Sequence, residues 1–278
     1  MSEPTPRPPE TPRAEHLVAG SAAHSGARRV EPDRSPTRLD RQDEQSRQDG
    51  QDRHPLRESL ADLGEFVPPR LRGWLHAGAF PLVILGGLTL VTLTPGLRAR
   101  TGAAVFVAAA ALLFGISALY HRGRWSPPVK RLLGRLDHAN IFIAIAGTYT
   151  AFALSLLPEG QARTLLWTIW IGAAAGVFLR VVWLGAPRWL TTAIYVALGW
   201  VAVFYLGPLY AGGGPVIVAL IAAGGVLYTV GALVYGLKRP DPSPRWFGFH
   251  EVFHAFTIAA FGTHAVAVAM ALASPSAA

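Results

Sequence analysis

The chain has 278 residues and is 51% hydrophobic, with only 15% Asp, Glu, Lys or Arg. Soluble domains average about 25% charged residues, so the composition argues against an ordinary soluble enzyme. The net charge of +8 combines two unlike segments: residues 1–65 hold 10 Arg against 13 acids, and residues 66–278 hold 15 Lys/Arg against 4 acids. Those four are Asp137, Glu159, Asp241 and Glu251. The absence of cysteine excludes disulfide frameworks, thiolate metal sites and cysteine nucleophiles.

Residues 1–67 are rich in Pro, Ser, Gln, Arg and acids and show almost no apolar periodicity. Such a stretch buries too little surface to offset the entropy of ordering, so a disordered tail is expected. Arg28-Arg29 is not followed by an apolar run, and no secretory signal pattern stands elsewhere in the tail. The tail is therefore expected to be cytoplasmic. At its end, Leu56, Leu60, Leu63 and Phe66 repeat at helical spacing, as in a short amphipathic linker able to lie among lipid headgroups.

Long apolar runs follow at 74–94, 101–120, 139–157, 164–184, 190–209, 214–237 and 249–273. Each approaches the ~20 residues that carry a helix across a ~30 Å hydrocarbon core. The runs are apolar all round, which a soluble bundle would not be. Turn chemistry separates them, as at Pro95-Gly96, Ser126-Pro127-Pro128, Pro158-Glu159-Gly160 and Gly212-Gly213-Gly214-Pro215. Glu159 and Asp241 are accordingly assigned to loops. The expected fold is an all-α membrane protein, a seven-transmembrane helix bundle over 68–278.

Basic residues set its orientation. Arg70, Arg72, Arg122, Arg124, Lys130, Arg131, Arg135, Arg188, Lys238, Arg239 and Arg245 flank one side, and only Arg98, Arg100 and Arg163 the other. By the positive-inside rule the N-terminus is inside and the C-terminus outside. The positive charge then records topology and calls for no nucleic-acid partner. Arg180 lies a turn from the cytoplasmic end of its run and can snorkel. Gly172 and Gly176 have the spacing of a helix-packing pair.

Topology gives each histidine a depth. His121 ends the second run, Asp137 opens the third, and His250 and His254 stand in the first turns of the seventh, so all four share the cytoplasmic half of the bilayer. His250 and His254, four apart, project from one helical face. They form half a zinc site, and His121 is the natural third ligand, leaving one position open. Zinc so held lowers the pKa of a water to about 7 and polarises a carbonyl. Asp137 is then placed to hold or deprotonate that water. Ser117, one turn from His121, is placed to hydrogen-bond it or the substrate.

His264 lies ten residues beyond His254, some 15 Å along the axis, and is expected to serve polar packing. His76 reads as interfacial or as a supporting neighbour of the site. His138 points about 100° away from Asp137 and is left out. Tyr149 reads as interhelical glue. One rival pattern remains: His250-Glu251-Val252-Phe253-His254 fits H-E-x-x-H, in which Glu251 would be the base of a zinc protease and Asp137 a third ligand.

Ser117-Ala-Leu-Tyr-His121, Leu136-Asp137-His138-Ala-Asn-Ile141, Ile145-Ala-Gly-Thr-Tyr-Thr150 and His250-Glu-Val-Phe-His254 resemble motifs of the hemolysin III family. That family is the bacterial branch of the seven-helix progestin and adiponectin receptor superfamily. The resemblance covers about residues 68–272, with Arg72-Gly-Trp-Leu-His76 at the first helix. It implies a zinc site of His121, His250 and His254, with Asp137 linked to the ion through water and Ser117 nearby. It also implies kinship with alkaline ceramidases. One departure is Ala151, where the family usually has proline, which removes the reason for a kink in the third helix.

The expected function is a membrane-embedded zinc hydrolase acting on a lipid amide or ester, with membrane lipid as substrate or ligand. The alternatives are a zinc-stabilised sensor of membrane lipid and, from the family name alone, a hemolysin-like pore former, which no polar-lined helix favours.

Overall fold

Within hydrocarbon a segment must satisfy its own backbone N–H and C=O groups, so apolar runs of this length fold as helices. The computed structural model describes residues 69–183 and 187–273. The tail expected over 1–67, with Leu56, Leu60, Leu63 and Phe66, lies outside the described residues. The helices are α1 (Trp74–Leu93), α2 (Leu97–Arg122), α3 (Pro127–Leu156), α4 (Glu159–Val182), α5 (Arg188–Gly199), α6 (Leu206–Leu237) and α7 (Phe249–Leu272). A 3₁₀ segment, Trp200–Tyr205, joins α5 to α6.

Six spans are long and apolar enough to cross a membrane: α1, α2, α3, α4, the 49-residue stretch Trp189–Leu237, and α7. At 1.5 Å per residue that long stretch would run roughly 74 Å as one straight rod, more than twice a bilayer core. It is not straight. Gly214 takes φ 72°, ψ −178° and Pro215 follows it, a backbone that side-chain-bearing residues avoid joined to a residue with no N–H to donate. Trp200 Nε1 donates to Thr229 Oγ1 at 3.0 Å, so the chain on either side of Gly214 doubles back on itself. The turn expected at Gly212–Pro215 is present, and it falls at Gly214.

A second irregularity lies upstream. Tyr149 Oη on α3 donates to the Gly199 carbonyl and accepts from the Ala202 amide, both at 2.6 Å. Inserting a hydroxyl into the helical ladder disrupts it locally, and here the backbone passes into the 3₁₀ segment. Tyr149 is therefore interhelical glue of a specific kind.

Several helices begin earlier than hydropathy indicates. α3 starts at Pro127, not 139, because prolines at the first two helical positions lack only N–H groups that would go unbonded there. The stretch assigned to a flank is largely helix, and Asp137 sits three turns inside it. Glu159 likewise stands in the first turn of α4 rather than in a loop, whereas Asp241 is in the connection before α7. α3 runs unbroken through Ala151, as the absence of proline there implies.

α3 is the central helix: 67% of its most apolar stretch is buried, against 17% for α1. The core sets Phe106 of α2, Phe142 and Phe152 of α3, Leu165 and Ile169 of α4, and Val268 of α7 together. Small residues permit close approach, since a side chain at Gly147 would strike Ala109 of α2. The expected packing role of Gly172 and Gly176 holds: side chains there would collide with Leu198 of α5 and the Phe142 ring. Outward faces carry Leu82, Leu85, Phe178 and Phe204, all exposed, as suits a surface bathed in lipid.

Candidate metal centre

α7 begins at Phe249, so His250 and His254 occupy its first two turns on one face. α2 ends at Arg122, which brings His121 in its last turn against that face. His121 Nε2 and His250 Nε2 are 3.2 Å apart. One ring nitrogen from each of His121, His250 and His254 lies within 4.8 Å of the other two. The three side chains the sequence assigns to a metal are thus together, and they can hold an ion. Two nitrogens ~2.0–2.1 Å from a shared tetrahedral ion stand roughly 3.3 Å apart, close to the His121–His250 separation. His254 is buried, and its Nδ1 has no hydrogen-bond partner among the described residues. An unsatisfied imidazole nitrogen away from water is costly, and a donor set of three imidazoles suits a first-row transition metal.

Asp137 and Ser117 are both buried beside this cluster. Asp137 Oδ2 is 3.8 Å from His121 Nε2, beyond direct hydrogen bonding. Ser117, four residues before His121 on α2, is buried beside the Asp137 carboxyl.

The segment entering α1 clamps the centre together. Arg72 Nε donates to Glu251 Oε1 at 2.9 Å, and the Gly248 amide donates to Glu251 Oε2 at 2.9 Å. The second contact caps the start of α7, where the free amides of a helix favour a carboxylate. Gly73, at φ 79°, lets the backbone press against His121, since a Cβ there would come within 2.5 Å of the His121 Cβ. Arg122 lies over the Trp74 ring at 3.9 Å. Arg70 and Leu71 amides donate to the carbonyls of Arg245 and Trp246 before α7. His76 is buried and stacks on His254, with centroids 3.8 Å apart and planes within 10°. His76 is thus a direct neighbour of the cluster, and neither its Nδ1 nor its Nε2 has a hydrogen-bond partner among the described residues.

The remaining candidates lie elsewhere. His264 Nε2 bonds with the Ile221 carbonyl at 3.1 Å and its ring packs over Gly224, the polar packing expected of it. His138 is turned to the Gly134 carbonyl and the Tyr235 hydroxyl, at 2.8 and 3.0 Å. Glu251, the base of the rival protease reading, has its two oxygens engaged by Arg72 and Gly248. Sequence reasoning missed the Arg72–Glu251 pair, which joins residues 179 apart. The available signal was a lone acid beside a histidine in a region nearly devoid of acids.

A family model described as "Haemolysin-III related" matches residues 65–265. That range contains every residue of the cluster and of its clamp. The chain is 31% identical over 154 residues to the Hemolysin-3 homolog of Bacillus subtilis (strain 168), covering 55% of this chain and 69% of the relative. It is 28% identical over 210 residues to Hemolysin-3 of Bacillus cereus, covering 73% of this chain and 91% of the relative.

Proposed function

The chain belongs to the haemolysin III family of multi-pass membrane proteins, and from that premise we propose that it is a zinc-dependent hydrolase of membrane lipid amides or esters. The observation that carries the reading is the gathering of His121, His250 and His254 beside Asp137 and the buried Ser117 hydroxyl. This polar cluster lies at the end of apolar spans, at a depth that the acyl chains of membrane lipids share and most water-soluble substrates do not. When bound, zinc supplies Lewis acidity, polarising a carbonyl and acidifying a water. His121, His250 and His254 are its holders. Asp137 accepts the proton of the attacking water as general base, and Ser117 donates to the substrate carbonyl and orients it.

The same proposal takes the chain across the membrane seven times, counting Trp189–Leu237 as two crossings parted at Gly214. The N-terminal segment and the metal centre then face the cytoplasm, which the excess of eleven basic flanking residues over three supports. An alkaline phosphatase fused to the C-terminus should be active in cells, and an inactive fusion would reverse the orientation.

The decisive experiment loads purified protein with zinc and offers ceramide, N-acyl amides and carboxylic esters. Hydrolysis of one class is expected, lost on chelation, restored by zinc, and lost in Asp137→Ala with zinc retained. Zinc should be lost in His121→Ala, His250→Ala and His254→Ala but kept in His264→Ala.

Burial favours one second reading, in which the ion only ties α2 to α7 and the bundle responds to membrane lipid. Stoichiometric zinc, hydrolysis of no lipid, and an Asp137→Ala protein of undiminished cellular function would select it.

A further inference from the structure

At the end of the bundle away from the histidines, a cavity of about 400 Å³ opens between α2, α3 and α4. Arg98 and Arg163 stand at it, with Leu166, Trp167 and Trp170 along its wall. Arg98 is 23 residues before His121 on the same helix, roughly 35 Å along the axis, so the cavity and the metal centre lie at opposite ends of a span.

Basic residues are scarce on this side. Only Arg98, Arg100 and Arg163 flank it, and two of the three line one cavity. Arg98 Nη2 donates to the Leu157 carbonyl at 2.8 Å, which holds its guanidinium at the opening. Arg163 makes no hydrogen bond or ion pair among the described residues and does not pair with Glu159 one turn before it. Trp170 Nε1 donates to Thr150 Oγ1 at 3.1 Å, fixing that ring against α3. Trp167 is exposed, in the position of an aromatic belt between headgroups and chains. The cavity is therefore cationic at the helix ends and apolar along its wall. Guanidinium groups match phosphate in charge and in hydrogen-bond geometry, and the wall offers a surface for an acyl chain.

We propose that this cavity binds an anionic phospholipid, its phosphate held by Arg98 and Arg163 and its acyl chain lying along Leu166, Trp167 and Trp170. The site is independent of the metal centre and does not rest on hydrolysis. Glu159, the one acid at the cavity, opposes the phosphate and sets the affinity below what two arginines alone would give.

The test is lipid retention by the intact, detergent-purified chain, followed by native mass spectrometry during titration with phosphatidylglycerol, phosphatidylcholine or inorganic phosphate. One phosphatidylglycerol per chain is expected, roughly tenfold weaker in Arg163→Gln, weaker still in Arg98→Gln/Arg163→Gln, and tighter in Glu159→Gln. Arg98 also bonds a backbone carbonyl, so its variant is read beside Arg163→Gln, whose side chain has no partner to lose among the described residues. Equal retention of phosphatidylglycerol by wild type and the double variant would overturn the proposal. Equal retention of phosphatidylcholine would reduce the cavity to an unselective lipid surface, and displacement by millimolar phosphate would make the ligand a free anion.

Discussion

Removing the Glu251 carboxylate tests whether the clamp or a catalytic base explains this buried acid. Glu251 is 0% exposed and accepts from Arg72 Nε and from the Gly248 amide, each at 2.9 Å. Stripping one partner from a fully buried ion pair costs about 3–5 kcal/mol. The Arg72 side chain keeps 26% exposure, so water recovers part of that and roughly 2–3 kcal/mol remains. Losing the cap at the α7 N-terminus adds about 1 kcal/mol. Glu251→Ala should therefore lose roughly 3–4 kcal/mol, a fall of about 10 °C in Tm for a chain of this size. Glu251→Gln keeps an oxygen for Arg72 but turns an NH₂ toward the Gly248 amide, so a smaller loss of about 1–2 kcal/mol is expected. Thermal unfolding in detergent, read beside zinc content, decides the matter. Arg72→Ala/Glu251→Ala should melt above the sum of the single losses, because the two side chains act as one unit. A Glu251→Gln protein with wild-type Tm and full zinc but no hydrolysis would refute this reasoning and restore Glu251 as the base of a protease-like site.

Other substitutions separate the remaining contacts. Tyr149→Phe leaves the Gly199 carbonyl and the Ala202 amide without their shared hydroxyl and should cost about 1–3 kcal/mol by thermal unfolding; no loss would mean the 3₁₀ segment stands without it. Gly214→Ala meets no atom within 4 Å, so its penalty is backbone strain alone, about 1–3 kcal/mol, and an unchanged Tm would remove strain from the account of the reversal. His76→Phe retains a ring against His254 and should keep zinc, whereas His76→Ala should weaken it roughly tenfold by loss of the stack; zinc loss in both variants would give the His76 nitrogens the role instead.

The gathering of the three histidines was legible because two independent regularities met there. The i, i+4 spacing of His250 and His254 fixes a shared face whatever their surroundings, and charge bias assigned His121 and Asp137 the same depth. The clamp was not legible in that way. Arg72 and Glu251 are 179 residues apart, and neither periodicity nor spacing carries information about such a contact. Hydropathy also misplaced the start of α3, because Lys130, Arg131 and Arg135 lower the average over residues that are good helix formers behind two prolines. Spans were found where apolar character alone decides. Extensions beyond the hydrocarbon, where capping and propensity decide, were not.

The four acids of residues 66–278 carry the synthesis one step further. A charge near lipid is costly unless it is partnered, so each survivor should have a definable task. Asp241 accepts from the Phe249 amide at 2.9 Å, and Glu251 accepts from the adjacent Gly248 amide at 2.9 Å. Both acids therefore serve the same helix end. That end is the one carrying His250 and His254, so half the acid of this region goes into fixing where α7 begins. A shift of that start by one residue would rotate both histidines by about 100° and carry them away from His121. Asp137 is the remaining acid beside the cluster among the described residues, its Oδ2 3.8 Å from His121 Nε2 and its carboxyl next to the Ser117 hydroxyl, which is where the proposed proton acceptor would have to stand.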